Sequence, residues 1–291
     1  HLGLNRSINF VQYFWGSPVL DLFQSESGKT HHFALYLTPY FVMPHFGFGI
    51  GFANPFTMVA HSNINVNLEF GPDIVAPFSF AMNFLEKRLS VGASLKFIAK
   101  GGLDHDFNLQ TMSAFTSKDE SDANRTKLSD LLQGGYGYGA DLGMLFTPIK
   151  TMEPTLGISI TDIGGSVYQK ANIGDTAVSA PDPRPAALNT GISIKPIQSG
   201  ASYVLLAMDS DMINQPVHYS HKLNLGAEYG FGKIIKLQTG LHDGYLTGGM
   251  QFDVGLLKLR LATYTVDHGP VVGLASNLAE RRYLLQLNLL L

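Results

Sequence analysis

The chain has 291 residues, of which 45% are apolar and only 15% charged, with a formal net charge of −3, 31 glycines and no cysteine. A soluble domain carries about a quarter of its residues as charges, and a nucleic-acid binder shows a basic footprint; neither pattern is present. Disulfides and thiolate metal sites are excluded, and polar residues interrupt every window of about 20 apolar residues that a membrane helix would need.

Apolar residues instead fall on alternate positions, in segments of about ten separated by Gly, Pro, Asn and Asp. Lipid offers a backbone no hydrogen-bond partner, so a sheet in a membrane must close on itself and turn its apolar side chains outward. The first clear segment carries Phe46, Phe48, Ile50 and Phe52 with glycines between them. Ile64, Val66, Leu68 and Phe70 then alternate with Asn63, Asn65, Asn67 and Glu69, and Val91, Ala93, Leu95 and Phe97 follow around Ser94 and Lys96. Residues 102–134 break the rhythm with the polar run Ser117–Arg125, and Lys127–Leu132 after it suits a short helical turn.

Alternation resumes at Tyr138, Ala140, Leu142, Met144 and Phe146 about Asp141, pauses over 164–186 with its Ala180-Pro-Asp-Pro-Arg-Pro185 run, and returns at Ile192 and Ile194 before Lys195. Leu223, Leu225, Ala227 and Tyr229 share one face, against Lys222, Asn224, Gly226 and Glu228 on the other. Short connections then link Ile235, Leu237 and Leu241 (against Lys236 and Gln238), Met250, Phe252 and Val254 (against Gln251 and Asp253), and Leu257, Leu259 and Leu261 (against Lys258 and Arg260). Such spacing predicts tight hairpins in a meander. Residues 266–281 interrupt it once more, and the last segment sets Tyr283, Leu285, Leu287, Leu289 and Leu291 outward as a barrel-assembly strand, with Gln286 and Asn288 inward.

The expected fold is an all-β, transmembrane, antiparallel up-and-down barrel of about 14 strands (12–16), one domain over residues 1–291, because single-chain barrels take even strand numbers. The interruptions 102–134, 164–186 and 266–281 are read as extracellular loops. Tyr229 and Tyr283 fit interfacial aromatic belts.

No Gly-x-Ser-x-Gly, His-Glu-x-x-His or phosphate-binding glycine loop occurs, so no enzymatic role and no cofactor is expected. A membrane hydrolase would need Ser and His on adjacent strands, and no such pair stands out. His31 and His32 are adjacent on a strand and point to opposite faces, which rules out shared chelation; His218 and His221 could meet near a strand end. The Gly-x-Gly runs at 46–51 and 135–139 relieve crowding or permit bends rather than hold phosphate. An inward polar set of both signs, Lys96, Asp141, Lys195, Lys222, Glu228, Lys236, Gln238, Asp253, Lys258 and Arg260, is expected either to fill a narrow lumen with ion pairs and hydrogen bonds or to guide a ligand.

The segments Leu89–Lys96, Gly139–Phe146, His221–Tyr229 and Leu237–Gly249 occur in order from about residue 45 onward, and together they resemble the PorV branch of the FadL-like outer-membrane proteins. That resemblance implies a 14-stranded barrel in the bacterial outer membrane. The PorV side implies an accessory subunit of a secretion or surface complex that engages a protein partner through its loops or wall. The FadL side implies a transporter of long-chain fatty acids or other small hydrophobic molecules. Lipid is the expected environment and nucleic acid is not an expected partner. The chain starts at His1 without an export signal, as a processed or trimmed chain would, and the family's Asn-Pro-Ala-like plug signature is not found before Leu4; Asn54-Pro55 stands too far along to replace it.

Overall fold

The computed structural model describes residues 30–62, 65–108, 131–171, 178–232, 234–268 and 279–289. Among these, seventeen strands form one antiparallel sheet: β1 (Thr30–Leu37), β2 (Tyr40–Met43), β3 (Phe46–Gly49), β4 (Gly51–Ser62), β5 (Asn65–Phe70), β6 (Asp73–Phe84), β7 (Leu89–Phe107), β8 (Leu132–Phe146), β9 (Thr155–Thr161), β10 (Tyr168–Lys170), β11 (Ala187–Ser199), β12 (Ser202–Ser210), β13 (Leu223–Phe231), β14 (Ile235–His242), β15 (Tyr245–Asp253), β16 (Leu257–Asp267) and β17 (Ala279–Leu289). The fold class is the expected all-β antiparallel barrel. Seventeen are counted because runs are broken at Thr38-Pro39 between β1 and β2, at Ile50 between β3 and β4 and at Gly71-Pro72 between β5 and β6, and because β10 adds a three-residue strand. The loops are also shorter than expected: β7 runs on to Phe107 and β8 starts at Leu132, β10 lies inside 164–186, and β16 and β17 take up 266–267 and 279–281. The helical turn expected over 127–132 lies mostly outside the described residues, as does Leu291.

The strands fall into two compact units, described in turn. The first comprises His1–Phe78, Leu95–Gly139 and Gly165–Arg184. Its strands close in a ring, β1–β4–β5–β7–β8–β10 and back to β1. Met58, Ala60, Val66, Leu68, Leu103 and Phe107 form a buried apolar cluster here. The register explains the cluster: Met58 stands opposite Leu68, Ala60 opposite Val66, and Val66 opposite Phe107, so one face of three strands is apolar throughout. Glu69, Asp73, Lys100, Asp104 and Arg184 pair with one another, with Lys100 Nζ 3.4 Å from Glu69 and 3.7 Å from Asp104, and Arg184 3.2 Å from Asp73.

The second unit comprises Ser79–Ser94, Ala140–Gly164 and Pro185–Leu291. From β11 to β17 it is a plain meander, each strand paired with the next, and β9 joins it by pairing with both β8 and β11. Local turn chemistry sets these hairpins. His242 and Tyr245 are joined by Asp243-Gly244, both with positive φ (51° and 73°), the two-residue turn whose twist suits a hairpin.

Burial in this unit is inverted. Every buried apolar side chain described belongs to the first unit, whereas the buried residues described in the second are Gly230, Asp243, Gln251, Thr265 and Asp267. On β17 the apolar Tyr283, Leu285, Leu287 and Leu289 are 77, 69, 59 and 67% exposed, while Arg282, Gln286 and Asn288 between them are half-buried. A sheet with its apolar face bare and its polar face sheltered is stable only where hydrocarbon covers the bare face, which makes this a β-barrel membrane protein.

Candidate functional site

Strand parity divides the second unit into an outer, apolar face and an inner face whose character changes around the sheet. From β12 to β17 the inner face is crowded with long polar side chains. Tyr203 on β12 donates its hydroxyl to Glu228 on β13, and the same carboxylate accepts from Gln238 and lies 3.6 Å from Lys236 Nζ on β14. Arg260 on β16 donates to Gln251 on β15 at 3.0 Å and to Gln286 on β17 at 3.1 Å, and Gln286 donates to Asn288. Lys258 pairs with Asp253 at 3.3 Å beside the β15–β16 turn. The belt spans six strands because cross-strand register sets Glu228 beside Gln238, Lys236 beside Gln251, Gln251 beside Arg260 and Arg260 beside Gln286, while Tyr203, opposite Gly230, reaches Glu228 on the diagonal.

From β6 to β11 the inner face is nearly bare. Ser79 and Ala81 on β6, Ser90, Gly92 and Ser94 on β7, Gly143 on β8, Gly157 and Ser159 on β9 and Gly191 on β11 leave a cavity of about 640 Å³. Pairing keeps small against small: Gly143 faces Ser159, and Gly157 faces Gly191. Leu145, one of the few larger side chains on this face, is 54% exposed. The outward neighbours Leu142, Met144, Ile158 and Ile160 are also exposed, so the strands are thin where the inner face is bare. The volume falls within the range of roughly 300–1,000 Å³ usual for small-molecule sites.

Three carboxylates stand on the cavity wall: Asp141, Asp209 and Asp211. Asp141 accepts the Asp162 backbone N–H at 2.9 Å. Asn224 donates its amide to Asp209 and Asp211 at 2.9 and 3.0 Å, and its oxygen meets His242 Nδ1 at 2.8 Å. Burial, reinforced by the Asp209 charge, pushes the Asp211 carboxyl above its ordinary value. Beyond it, His221 Nδ1 lies 3.3 Å from Asp243, and Tyr245 donates to Asp267 at 3.0 Å.

The inward polar set expected from sequence separates into distinct places. Glu228, Lys236 and Gln238 share one cluster, Arg260 belongs to a second, and Asp253 and Lys258 make a pair. Lys195 hydrogen-bonds Glu153 in the β8–β9 turn; that bond holds the Glu153 carboxyl below its ordinary value. Asp141 stands on the cavity wall, and Lys96 lies half-buried on β7 in the first unit. Lys222 is displaced from the expected strand face: β13 begins at Leu223, and Lys222 caps a 3-10 turn (Tyr219–His221) with its ammonium on the carbonyls of Ile213 and Gln215. His218 and His221 do not meet over a common point, since His218 bonds Ser220 and His221 bonds Asp243. His31 and His32 alternate faces as expected, His31 being buried and His32 bonded to Thr57.

Asp209, Asp211, Tyr203, His242 and Asp243 escaped the sequence reading. The glycine and serine spacing was the available signal, for example Ser90-x-Gly92-x-Ser94 and Gly157-x-Ser159, where every inward position is small.

No family model and no curated protein matches the sequence. Two solved structures that resemble it are the toluene transporter TbuX of Ralstonia pickettii (14% identity, TM-score 0.45, covering 79% of this chain and 75% of that one) and the CymD monoaromatic hydrocarbon channel (18% identity, TM-score 0.40, covering 87% of each).

Proposed function

We propose that this chain is a bacterial outer-membrane barrel that admits small hydrophobic molecules through the lumen of its second unit, in the manner of FadL-like transporters. The observation that carries the reading is the cavity of about 640 Å³ beneath β6–β11. An accessory barrel needs only a filled interior and a docking surface, and there the inner face would be packed with side chains as it is from β12 to β17. A conduit needs free volume, and small residues at most inward positions of several adjacent strands supply it. The loops that motivated the accessory reading have their central residues outside the described ones, and nothing among the described residues favours it.

Cavity filling tests the proposal. A Cβ added at Gly143 would meet nothing nearer than 3.8 Å, so Gly143→Trp places its ring in the cavity without straining the backbone. In whole cells of a Gram-negative host, whose lipopolysaccharide leaflet retards hydrophobic probes, the native chain should speed entry of N-phenyl-1-naphthylamine. The doubly filled Gly143→Trp/Ser159→Trp chain, inserted at equal level, should lose most of that gain. Equal uptake by the filled and native barrels would contradict the proposal.

A further inference from the structure

We infer that the cavity sorts its ligands by charge, admitting uncharged molecules and turning away anions. This rests on the lumenal reading above and narrows its substrate class from fatty acids and other hydrophobic compounds to the uncharged ones. The wall carries Asp141, Asp209 and Asp211, and among the described residues that line the cavity there is no Lys, Arg or His. Asn224 orients two of the carboxylates by donating to both, and the basic group nearest this pair, His242, stands behind Asn224 with its Nδ1 on the amide oxygen at 2.8 Å rather than on the cavity wall.

The lysines of this unit's inner face are committed elsewhere. Lys236 serves Glu228, Lys258 serves Asp253, Lys195 serves Glu153, and Lys222 is spent on backbone carbonyls. Arg260 rests on the neutral amides of Gln251 and Gln286, but it sits on β16, which contributes nothing to the cavity wall. Fixed charges of one sign on the wall of a cleft with low-dielectric sides reinforce one another, and a solute of that sign meets a barrier that a neutral one does not. A carboxylate-bearing molecule would bring a further negative charge into this space. An alcohol or a hydrocarbon brings no charge to oppose the carboxylates and meets serine and threonine hydroxyls, the Asn189 amide, glycine backbone and Leu145 on the rest of the wall.

Because the chain has no cysteine, a single Ser159→Cys reports access to the cavity. The full chain in lipid nanodiscs is treated with neutral hydroxyethyl or anionic sulfonatoethyl methanethiosulfonate, and the ratio of their rates is compared with that at Ser199→Cys, exposed at the end of β11. The neutral reagent should be favoured at least tenfold more at position 159 than at 199. Asp141→Asn/Asp209→Asn/Asp211→Asn should bring the two ratios together. Equal ratios without those changes, or faster anionic labelling at 159, would overturn the charge selection while leaving the open cavity in place. No labelling at 159 by either reagent would overturn both it and the lumenal reading.

Discussion

Gly71 and Gly102 are held by each other. Their φ values are 139° and 131°, where a side chain is strained whatever the space, and a Cβ on Gly102 would lie 2.0 Å from the Phe70 carbonyl oxygen, just as one on Gly71 would lie 2.0 Å from that of Gly101. Gly102→Ala should therefore cost about 3 kcal/mol or more, read as a drop in the urea midpoint of the lipid-reconstituted protein. Gly226→Ala, with nothing within 4 Å of its Cβ, is the control and should stay within about 1 kcal/mol of the native chain. Gly230 works differently. A Cβ there would run into the Tyr203 ring at 2.2 Å, so the glycine is the seat on which Tyr203 lies to reach Glu228. Tyr203→Phe keeps the packing and removes the donor, a loss of about 1.5–3 kcal/mol for a hydrogen bond to a charged group; an unchanged urea midpoint would show that the belt does not depend on it.

At the scale of elements, β17 is the plainest test of which face meets lipid. Leu285→Arg, near its middle, should cost about 2–4 kcal/mol if hydrocarbon covers that face, measured by the same urea titration; tolerance of the charge would place the face in water. The β8–β9 turn gives a pH signature. Glu153 has its folded value held below the ordinary 4.5 by Lys195, so its contribution to stability is present above that ordinary value and is lost as pH falls through the lower folded one. Urea midpoints across roughly pH 3 to 6 should fall less steeply for Lys195→Met than for the native chain. A parallel decline in both would dissociate that tie from acid sensitivity.

Elements also show how far the sequence could be read. Strands β13 to β17 were legible because each pairs with its sequence neighbour and alternates cleanly, so period and turn chemistry agree. Leu223 to Asp253 reads off as three hairpin-linked strands, although Lys222 fell one residue outside because its ammonium found carbonyls instead of a strand partner. The ring of the first unit was not legible. Its defining pairs, β1 with β4, β5 with β7 and β8 with β10, join strands far apart in the chain, and period-two alternation carries no information about which strand lies beside which. The cavity was hidden for a related reason: it is made by what Gly143, Gly157 and Gly191 lack, and a glycine in a strand signals a bend as readily as a void.

Taken whole, the molecule combines a conventional apolar core in one unit with an inside-out sheet in the other. The inside-out unit has two kinds of inner face, one filled by a hydrogen-bonded belt and one left open, and the proposed passage of small molecules depends on the open part being wet while its outer face is not. Strand β9 presents both surfaces in seven residues. Single cysteines at Leu156, Gly157, Ile158, Ser159, Ile160 and Thr161, placed one at a time in the protein reconstituted in lipid, should react with a neutral water-soluble thiol reagent in strict alternation: 157, 159 and 161 labelled, 156, 158 and 160 protected. Uniform labelling of all six, or protection of 157, 159 and 161, would contradict the account.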